Sequence, residues 1–395
     1  MKNTSKKNSN LCIIHPTKFA YSETFIHNHI RYLPANIHAL YGGLMSGEMM
    51  VSSKSDQLLV PPFYRSAEKL KNLFFRFGKY IDDSTSHDSS KKLSPVKTKY
   101  LSKYLIKNRI QAVLAEYGPT GAAVMDACRM ANVPLIVHFH GYDAHRKDIT
   151  SSYKHLYRQM FGQASAIVVV SSKMNKQLIE LGAPPEKIYY NVYGVETDRF
   201  KATDPGKNPP RFLAVGRFVD KKAPYLTILA FKELLNHFSS ARLVMVGDGP
   251  LLETCTQISK ALNIRNSIEF TGPLKHDKVA MLMQKSRAFV QHSVTSGSGD
   301  SEGTPVSLLE ACASGLPIIS TRHAGIKDII IENEFGFLVD ESDIQQMAKH
   351  MITLAQQPEL ALSLGKNARN HILKHLTMEK SINNLWKIIS DQILA

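Results

Sequence analysis

The chain has 395 residues, 43% hydrophobic and 21% charged, enough to bury sizeable cores but longer than one core usually grows, so two domains are expected. Its four cysteines, Cys12, Cys128, Cys255 and Cys312, are scattered without a Cys-x-x-Cys pair, which argues against a zinc ribbon or disulfide framework and for reduced core thiols in a cytosolic protein. The net charge is +15, no stretch approaches the ~20 apolar residues of a membrane helix, and the polar start Met1 to Asn10 leads into no signal-peptide core.

Short β-branched runs alternate with helix-length amphipathic segments, the pattern of strand–helix–strand units and parallel sheets. In the front half, strands are expected at Leu11–His15, Ile37–Tyr41, Val113–Tyr117, Pro134–His140, Ala166–Ser171 and Lys187–Val192. The run Lys201 to Pro210 has linker composition, which puts domain boundaries at residues 1–205, 206–375 and a last helix over 376–395. Beyond it, strands are expected at Phe212–Gly216, Leu243–Gly247, Ser267–Thr271, Ala288–His292, Pro317–Thr321 and Gly336–Val339, followed by three helices and no further strand.

Charge is uneven along the chain. Residues 1–205 carry 28 Lys and Arg against 16 Asp and Glu, whereas residues 206–395 carry 21 against 18. The front half is therefore expected to meet something anionic, such as lipid headgroups, a pyrophosphate-linked acceptor or nucleic acid, unless the charge only solubilises it. Within it, Leu70, Leu73, Phe74 and Phe77 make an apolar helix face flanked by Arg65, Lys69, Arg76 and Lys79, which fits a core helix or a membrane-interface helix. Ser84 to Ser90 reads as a loop, and Lys91 to Arg109 holds seven basic residues and no acidic one.

Several runs carry chemistry. After the first strand, Ser22 can cap a helix that Phe25 and Ile26 continue, and Glu23 suits a helix first turn. In His138-Phe139-His140-Gly141-Tyr142-Asp143, strand alternation sends His138 and His140 the same way. A metal site there would need further His or Asp ligands on neighbouring strand ends. No such set follows, so His138 reads as a core histidine and no metal is expected. In the back half, Ala214 to Pro224 puts Gly216 at a strand end with Arg217 and Lys222 able to neutralise a pyrophosphate. Met245 to Pro250 brings a second strand-end glycine turn at Gly247. The run Ser293 to Thr321 combines a glycine-rich loop, Pro305 at a helix start, and two carboxylates, Glu302 at the loop's end and Glu310 about two turns later on roughly the same helix face, suited to hydroxyls of a polyhydroxylated ligand.

Glu302, Gly303, Pro305 and Glu310 match the Glu, seven residues, Glu hallmark of the family-4 retaining glycosyltransferases, and the chain resembles that family from about Leu11 to Thr321. The resemblance implies the GT-B fold, α/β with two Rossmann-like doubly wound domains facing across a cleft. It implies that Glu302 contacts donor-sugar hydroxyls, that the main chain of Gly303, Thr304 and Pro305 holds the sugar, and that Glu310 binds ribose. Arg217 and Lys222 would stabilise the leaving pyrophosphate without a metal. Ala223 stands where glycine commonly follows the lysine, which leaves Lys221 open as an alternative to Lys222. Gly216, Gly247 and Leu274 would line the nucleotide, and His140 would contact the reacting sugar. Ser22, Glu23, His140 and Asp143 would face the acceptor, and Ser-Glu-Thr-Phe-Ile resembles members that build bacterial exopolysaccharides and O-antigens.

The implied reaction moves a hexose-type sugar from a nucleotide-diphosphate sugar, a co-substrate rather than a cofactor, to a glycan or polyprenyl-pyrophosphate-linked acceptor, with no nucleic acid involved. A cytoplasmic protein peripheral on the inner membrane face is expected. A GT-B epimerase or phosphorylase, or a non-catalytic protein of anionic membranes or nucleic acid, remain alternatives. A nicotinamide oxidoreductase does not, because neither half carries Gly-x-Gly-x-x-Gly after its first strand.

Overall fold

The computed structural model describes residues 9–17, 23–42, 50–51 and 91–394. Ser22, the 65–79 helix and the 84–90 loop lie outside the described residues.

The first sheet is built from β1 (Asn10–His15), β2 (Asn36–Tyr41), β3 (Met50–Val51), β4 (Ala112–Glu116), β5 (Leu135–His138), β6 (Ala166–Val169) and β7 (Ile188–Tyr190). The second is built from β8 (Arg211–Val215), β9 (Arg242–Val246), β10 (Ile268–Gly272), β11 (Ala288–Gln291), β12 (Ile318–Thr321) and β13 (Gly336–Val339). Their orders are β3-β2-β1-β4-β5-β6-β7 and β10-β9-β8-β11-β12-β13. All neighbours are parallel except β3, a two-residue antiparallel edge that no periodicity announces. Buried on both faces, the central strands read as unbroken runs such as Ala112-Val-Leu-Ala-Glu116, whose five residues are all buried. In each sheet the chain order reverses once, between β1 and β4 and between β8 and β11, and these crevices at the carboxyl ends of the strands are where doubly wound sheets bind ligands.

The segment 201–210 is fastened to the second domain. The buried Arg287 guanidinium donates to the carbonyls of Pro205 at 2.7 Å, Asn208 at 2.5 Å and Leu354 at 2.8 Å. The last helix, Met378–Leu394, returns to the first sheet: Ile382, Leu385, Ile388 and Ile389 form one stripe packed with Leu11, Ile13, Ala112, Leu114, Ile136 and Val168. At about 1.5–3 kcal/mol per buried aliphatic side chain, this stripe is a substantial tie between the chain's two ends. All four cysteines are buried and free.

Candidate active site

At the second crevice, β8 ends in Val215 and Gly216, and the chain then turns through a short 3₁₀ segment, Asp220–Lys222. Gly247 lies so close to the Gly216 carbonyl, at φ +136°, that a Cβ there would overlap it, which is why two glycines meet at this rim. Ala223 ends the turn with φ +34° and ψ +52°, a left-handed conformation usually given to glycine, and its methyl is fully buried. This turn gives the two lysines different partners. Lys222 Nζ lies 3.0 Å from Glu302 Oε1 and donates to Gln291 Oε1 at 3.2 Å, whereas Lys221 Nζ lies 3.0 Å from Asp300 Oδ1. Arg217 is exposed, and a small cavity of about 30 Å³ lies among Gly216, Arg217, Lys222 and Gln291.

Burial pushes the Glu302 carboxyl upward, but Lys222 and Lys221 outweigh it and hold it below its ordinary range. Burial likewise lowers Lys222, and Glu302 only partly restores it. The pair is thus an ionised couple in a dry setting, where a single lost partner is expensive.

Glu302 is not on the same helix as Glu310. The helix runs Val306–Ala313 with Pro305 as its N-cap, in extended conformation at ψ +113°, so the chain between the two acids is a loop. The acids therefore take different partners. Glu310 Oε1 lies 3.2 Å from His276 Nδ1; burial raises the Glu310 carboxyl, and the hydrogen bond to Glu310 raises His276. Glu310 and His276 border a cavity of about 190 Å³ whose far wall is Thr24, Asn28 and Arg31 of the first domain.

Gly303 is wedged between the domains. A Cβ on it would stand 2.5 Å from the His140 carbonyl and 2.9 Å from Val170, and the Thr304 hydroxyl donates to the Val170 carbonyl at 2.6 Å. The Ser172 amide and hydroxyl donate to Asp328 at 2.7 and 2.6 Å. Leu274 follows β10 and packs, half-buried, on the core.

In the first crevice, the residues that the resemblance assigns to the acceptor have partners within their own domain. His140 has both ring nitrogens engaged: Nε2 lies 2.8 Å from Glu116 Oε2 and Nδ1 lies 2.6 Å from the Tyr193 hydroxyl, while Phe25 stacks on the ring at 4.2 Å. Its carbonyl, not its ring, is what reaches the 303 loop. Asp143 is fully buried, and its carboxylate accepts from the amides of Gly118, His140 and Gly141 at 2.9, 3.0 and 2.9 Å. With these backbone donors the carboxylate braces the turn that follows β5. Glu23 sits at the N-cap of the helix Thr24–Tyr32, and its carboxylate accepts from Thr17 at 2.7 Å and Tyr117 at 2.9 Å.

Sequence reasoning passed over His323 and Glu341. The Glu302 amide donates to His323 Nε2 at 3.1 Å; that nitrogen must be bare, so Nδ1 carries the proton and gives it to Glu341 Oε1 at 2.6 Å. Glu341 also accepts from the Thr295 amide at 2.9 Å, which ties the glycine-rich loop to the same carboxylate. The one signal available was position, since His323 lies two residues past the end of β12.

Comparison with known proteins agrees with this geometry. The model of glycosyl transferases group 1 matches residues 195–371, and that of glycosyltransferase family 4 matches residues 76–199. Among relatives, the chain is 30% identical over 220 residues (55% of this chain, 54% of the relative) to the amylovoran biosynthesis glycosyltransferase AmsK of Erwinia amylovora. It is also 30% identical over 243 residues (60% of each) to Salmonella typhimurium WcaL, whose name assigns it to colanic acid biosynthesis. These matches span roughly half to 60% of the relatives' own length. A UDP-Gal:α-D-GlcNAc-diphosphoundecaprenol α-1,3-galactosyltransferase of Escherichia coli is 26% identical over 74% of this chain and 79% of its own. Among solved structures, Anabaena HepE in complex with UDP and glucose superposes with a TM-score of 0.73 at 14% identity, over 97% of this chain and 100% of its own. Sucrose-phosphate synthase of Thermosynechococcus elongatus gives 0.74 at 15% identity, over 98% and 99%. The fold is thus GT-B, and the chain carries a glycosyltransferase family 4 domain followed by a glycosyl transferases group 1 domain, the two matches meeting at residues 195–199.

Proposed function

We propose that the chain is a retaining, metal-independent hexosyltransferase of bacterial surface-polysaccharide synthesis. It would use a nucleotide-diphosphate sugar as donor and a hydroxyl of a glycan or polyprenyl-pyrophosphate-linked acceptor. The observation that carries the reading is the pair of buried Glu302 and half-buried Lys222, 3.0 Å apart beside the exposed Arg217 at the β8/β11 crevice. A donor pyrophosphate arriving there offers Lys222 a replacement anion, and Glu302, released from the lysine, is left to take sugar hydroxyls. Lys222 and Arg217 then meet the charge that grows on the leaving pyrophosphate, the task a divalent ion performs elsewhere. Glu310 supplies the ribose contact beside the 190 Å³ cavity. Retention of anomeric configuration rests on the Glu302 and Glu310 motif.

The acceptor and setting rest on other supports. The name of the Escherichia coli relative specifies a UDP-galactose donor and a diphosphoundecaprenol-linked acceptor, and AmsK is named for an exopolysaccharide. No described helix is long and apolar enough to cross a membrane, and the front half carries the charge excess that an anionic surface or acceptor would meet. We therefore place the protein on the cytoplasmic membrane face.

The test is a melting-temperature screen against nucleoside diphosphates and nucleotide sugars without metal, followed by NMR of the anomeric proton in the product. A shift confined to one base, lost in Glu310→Ala, with retained configuration, is the expected result. Inversion would sink the retaining mechanism, and the absence of any nucleotide effect together with salt-sensitive vesicle binding would favour a non-catalytic protein.

A further inference from the structure

Below the His140 turn the β1/β4 crevice gathers histidines around one carboxylate. Glu116, the last residue of β4, is fully buried. His29 Nδ1 lies 2.7 Å from its Oε1 and His138 Nδ1 lies 3.7 Å from its Oε2, so one ligand atom from each of the three residues falls within 4.8 Å of the others. His138 is fully buried, and neither of its ring nitrogens has a hydrogen-bond partner among the described residues. A buried imidazole in that state forfeits a hydrogen bond that native interiors almost always supply. His15, at the end of β1, is buried in the same condition.

We propose that His29, Glu116 and His138 form a binding site for a first-row divalent transition metal of the zinc class. Two imidazoles and a carboxylate select such an ion over magnesium or calcium, which prefer oxygen ligands. Ligand atoms at about 2.1 Å from a tetrahedral ion stand about 3.4 Å apart, so His29 Nδ1 and Glu116 Oε1, now at 2.7 Å, have to part by less than about 1 Å, and His138 lies within the 4.8 Å span of the three ligand atoms. The ion takes the place of the proton between His29 and Glu116, and His29 passes to its Nε2–H tautomer. His138 gains the partner it lacks. The other Glu116 oxygen keeps its hydrogen bond with His140, so the metal would fix the floor of the turn that meets Gly303. The site draws all three ligands from the first domain, whereas the donor cations Arg217 and Lys222 belong to the second, so its function is structural and separate from pyrophosphate binding.

The experiment uses the full-length protein, freed of any histidine tag, stripped with a chelator and titrated with Zn²⁺ and Co²⁺. One equivalent per chain is expected, with a raised melting temperature and a visible Co²⁺ band of nitrogen and oxygen ligation. His138→Gln and His29→Gln should each weaken binding at least about tenfold. His371→Ala, which removes half of the His371/His375 pair on the helix Pro358–His375, should leave binding unchanged. No bound equivalent at micromolar metal, or binding that survives both ligand variants, overturns the site. If those variants fail to fold, zinc-edge X-ray absorption on the wild-type protein decides, and fewer than two imidazoles overturns it.

Discussion

Each domain places a buried glutamate at its topological switch point, yet the two are used differently. Glu116 is held by His29 and His140, one on each carboxylate oxygen, and both partners come from its own domain. Glu302 is held by Lys222, a full cation that an incoming phosphate can claim, with Arg217 exposed beside it. The first network draws its members from one domain and lies under the wall of the cleft; the second, on the proposed reading, is a pair that a donor pyrophosphate would exchange. Location in a doubly wound fold marks both crevices equally, and the partner's chemistry is what separates scaffold from binding site.

The comparison is broken most directly by removing each acid in turn. Glu116→Ala leaves His29 and His140 without their buried acceptor and should lower stability by about 3–5 kcal/mol, read by urea denaturation. Donor affinity, measured at a temperature where the variant is folded, should stay near the wild-type value. A stable Glu116→Ala protein with lost donor binding would reverse the roles given to the two crevices. Glu302→Ala should lower turnover about 100- to 1000-fold, the loss typical for a group that meets the reacting centre. Steady-state kinetics at saturating donor would detect it.

The same pair makes a pH prediction. Glu302 is depressed below its ordinary value in the folded protein, so its contribution to stability is complete above about pH 4.5 and lost as the pH falls through the folded-state value. Melting temperatures of Glu302→Gln should therefore fall less steeply than wild type between pH 5 and acid, at about pH 3. Parallel profiles would mean that the pair does not titrate with folding.

What was legible in the sequence divides along the same line. β-branched runs located every strand but β3, because buried parallel strands write themselves as contiguous apolar stretches, whereas a two-residue antiparallel edge writes nothing. The turn that carries Lys222 and the loop and helix that carry Glu302 and Glu310 were legible because strand-end glycines and Pro305 announce them locally. Glu116 was not: it sits in an apolar run, and its partners lie 87 residues before it, at His29, and 24 residues after it, at His140. Histidine alternation on β5 did place His138 and His140 together, with ring centroids 4.4 Å apart, but the ligands that give the cluster its meaning precede it in the chain. Pro305 caps the helix instead of opening it, and Glu302, on the loop before it, is off the helix of Glu310 in either register.

Glu310 sharpens the comparison at a smaller scale. Glu310→Ala should raise the donor dissociation constant about tenfold, near 1.4 kcal/mol, with turnover at saturation largely kept. Its partner His276 would lose the contact that raises its proton affinity, so any pH dependence of donor affinity carried by His276 should move to lower pH in the variant. Isothermal titration at several pH values checks both, and unchanged affinity would remove Glu310 from the ribose site.

The smallest effect concerns Ala223, which sets the turn that aims Lys222. A left-handed alanine costs about 1–2 kcal/mol relative to glycine at the same φ and ψ, and glycine gives part of that back through its freer unfolded chain. Ala223→Gly should therefore stabilise the fold by about 0.5–1 kcal/mol, provided the buried methyl contributes less than the strain it imposes. Turnover should not change, because the backbone already has the conformation glycine would adopt. A destabilised variant with normal kinetics would show that the methyl packs well enough to outweigh the strain. A stabilised variant with impaired kinetics would say instead that the strained turn is what keeps Lys222 aimed at Glu302, and that part of the second crevice is rigid in the way the first one is.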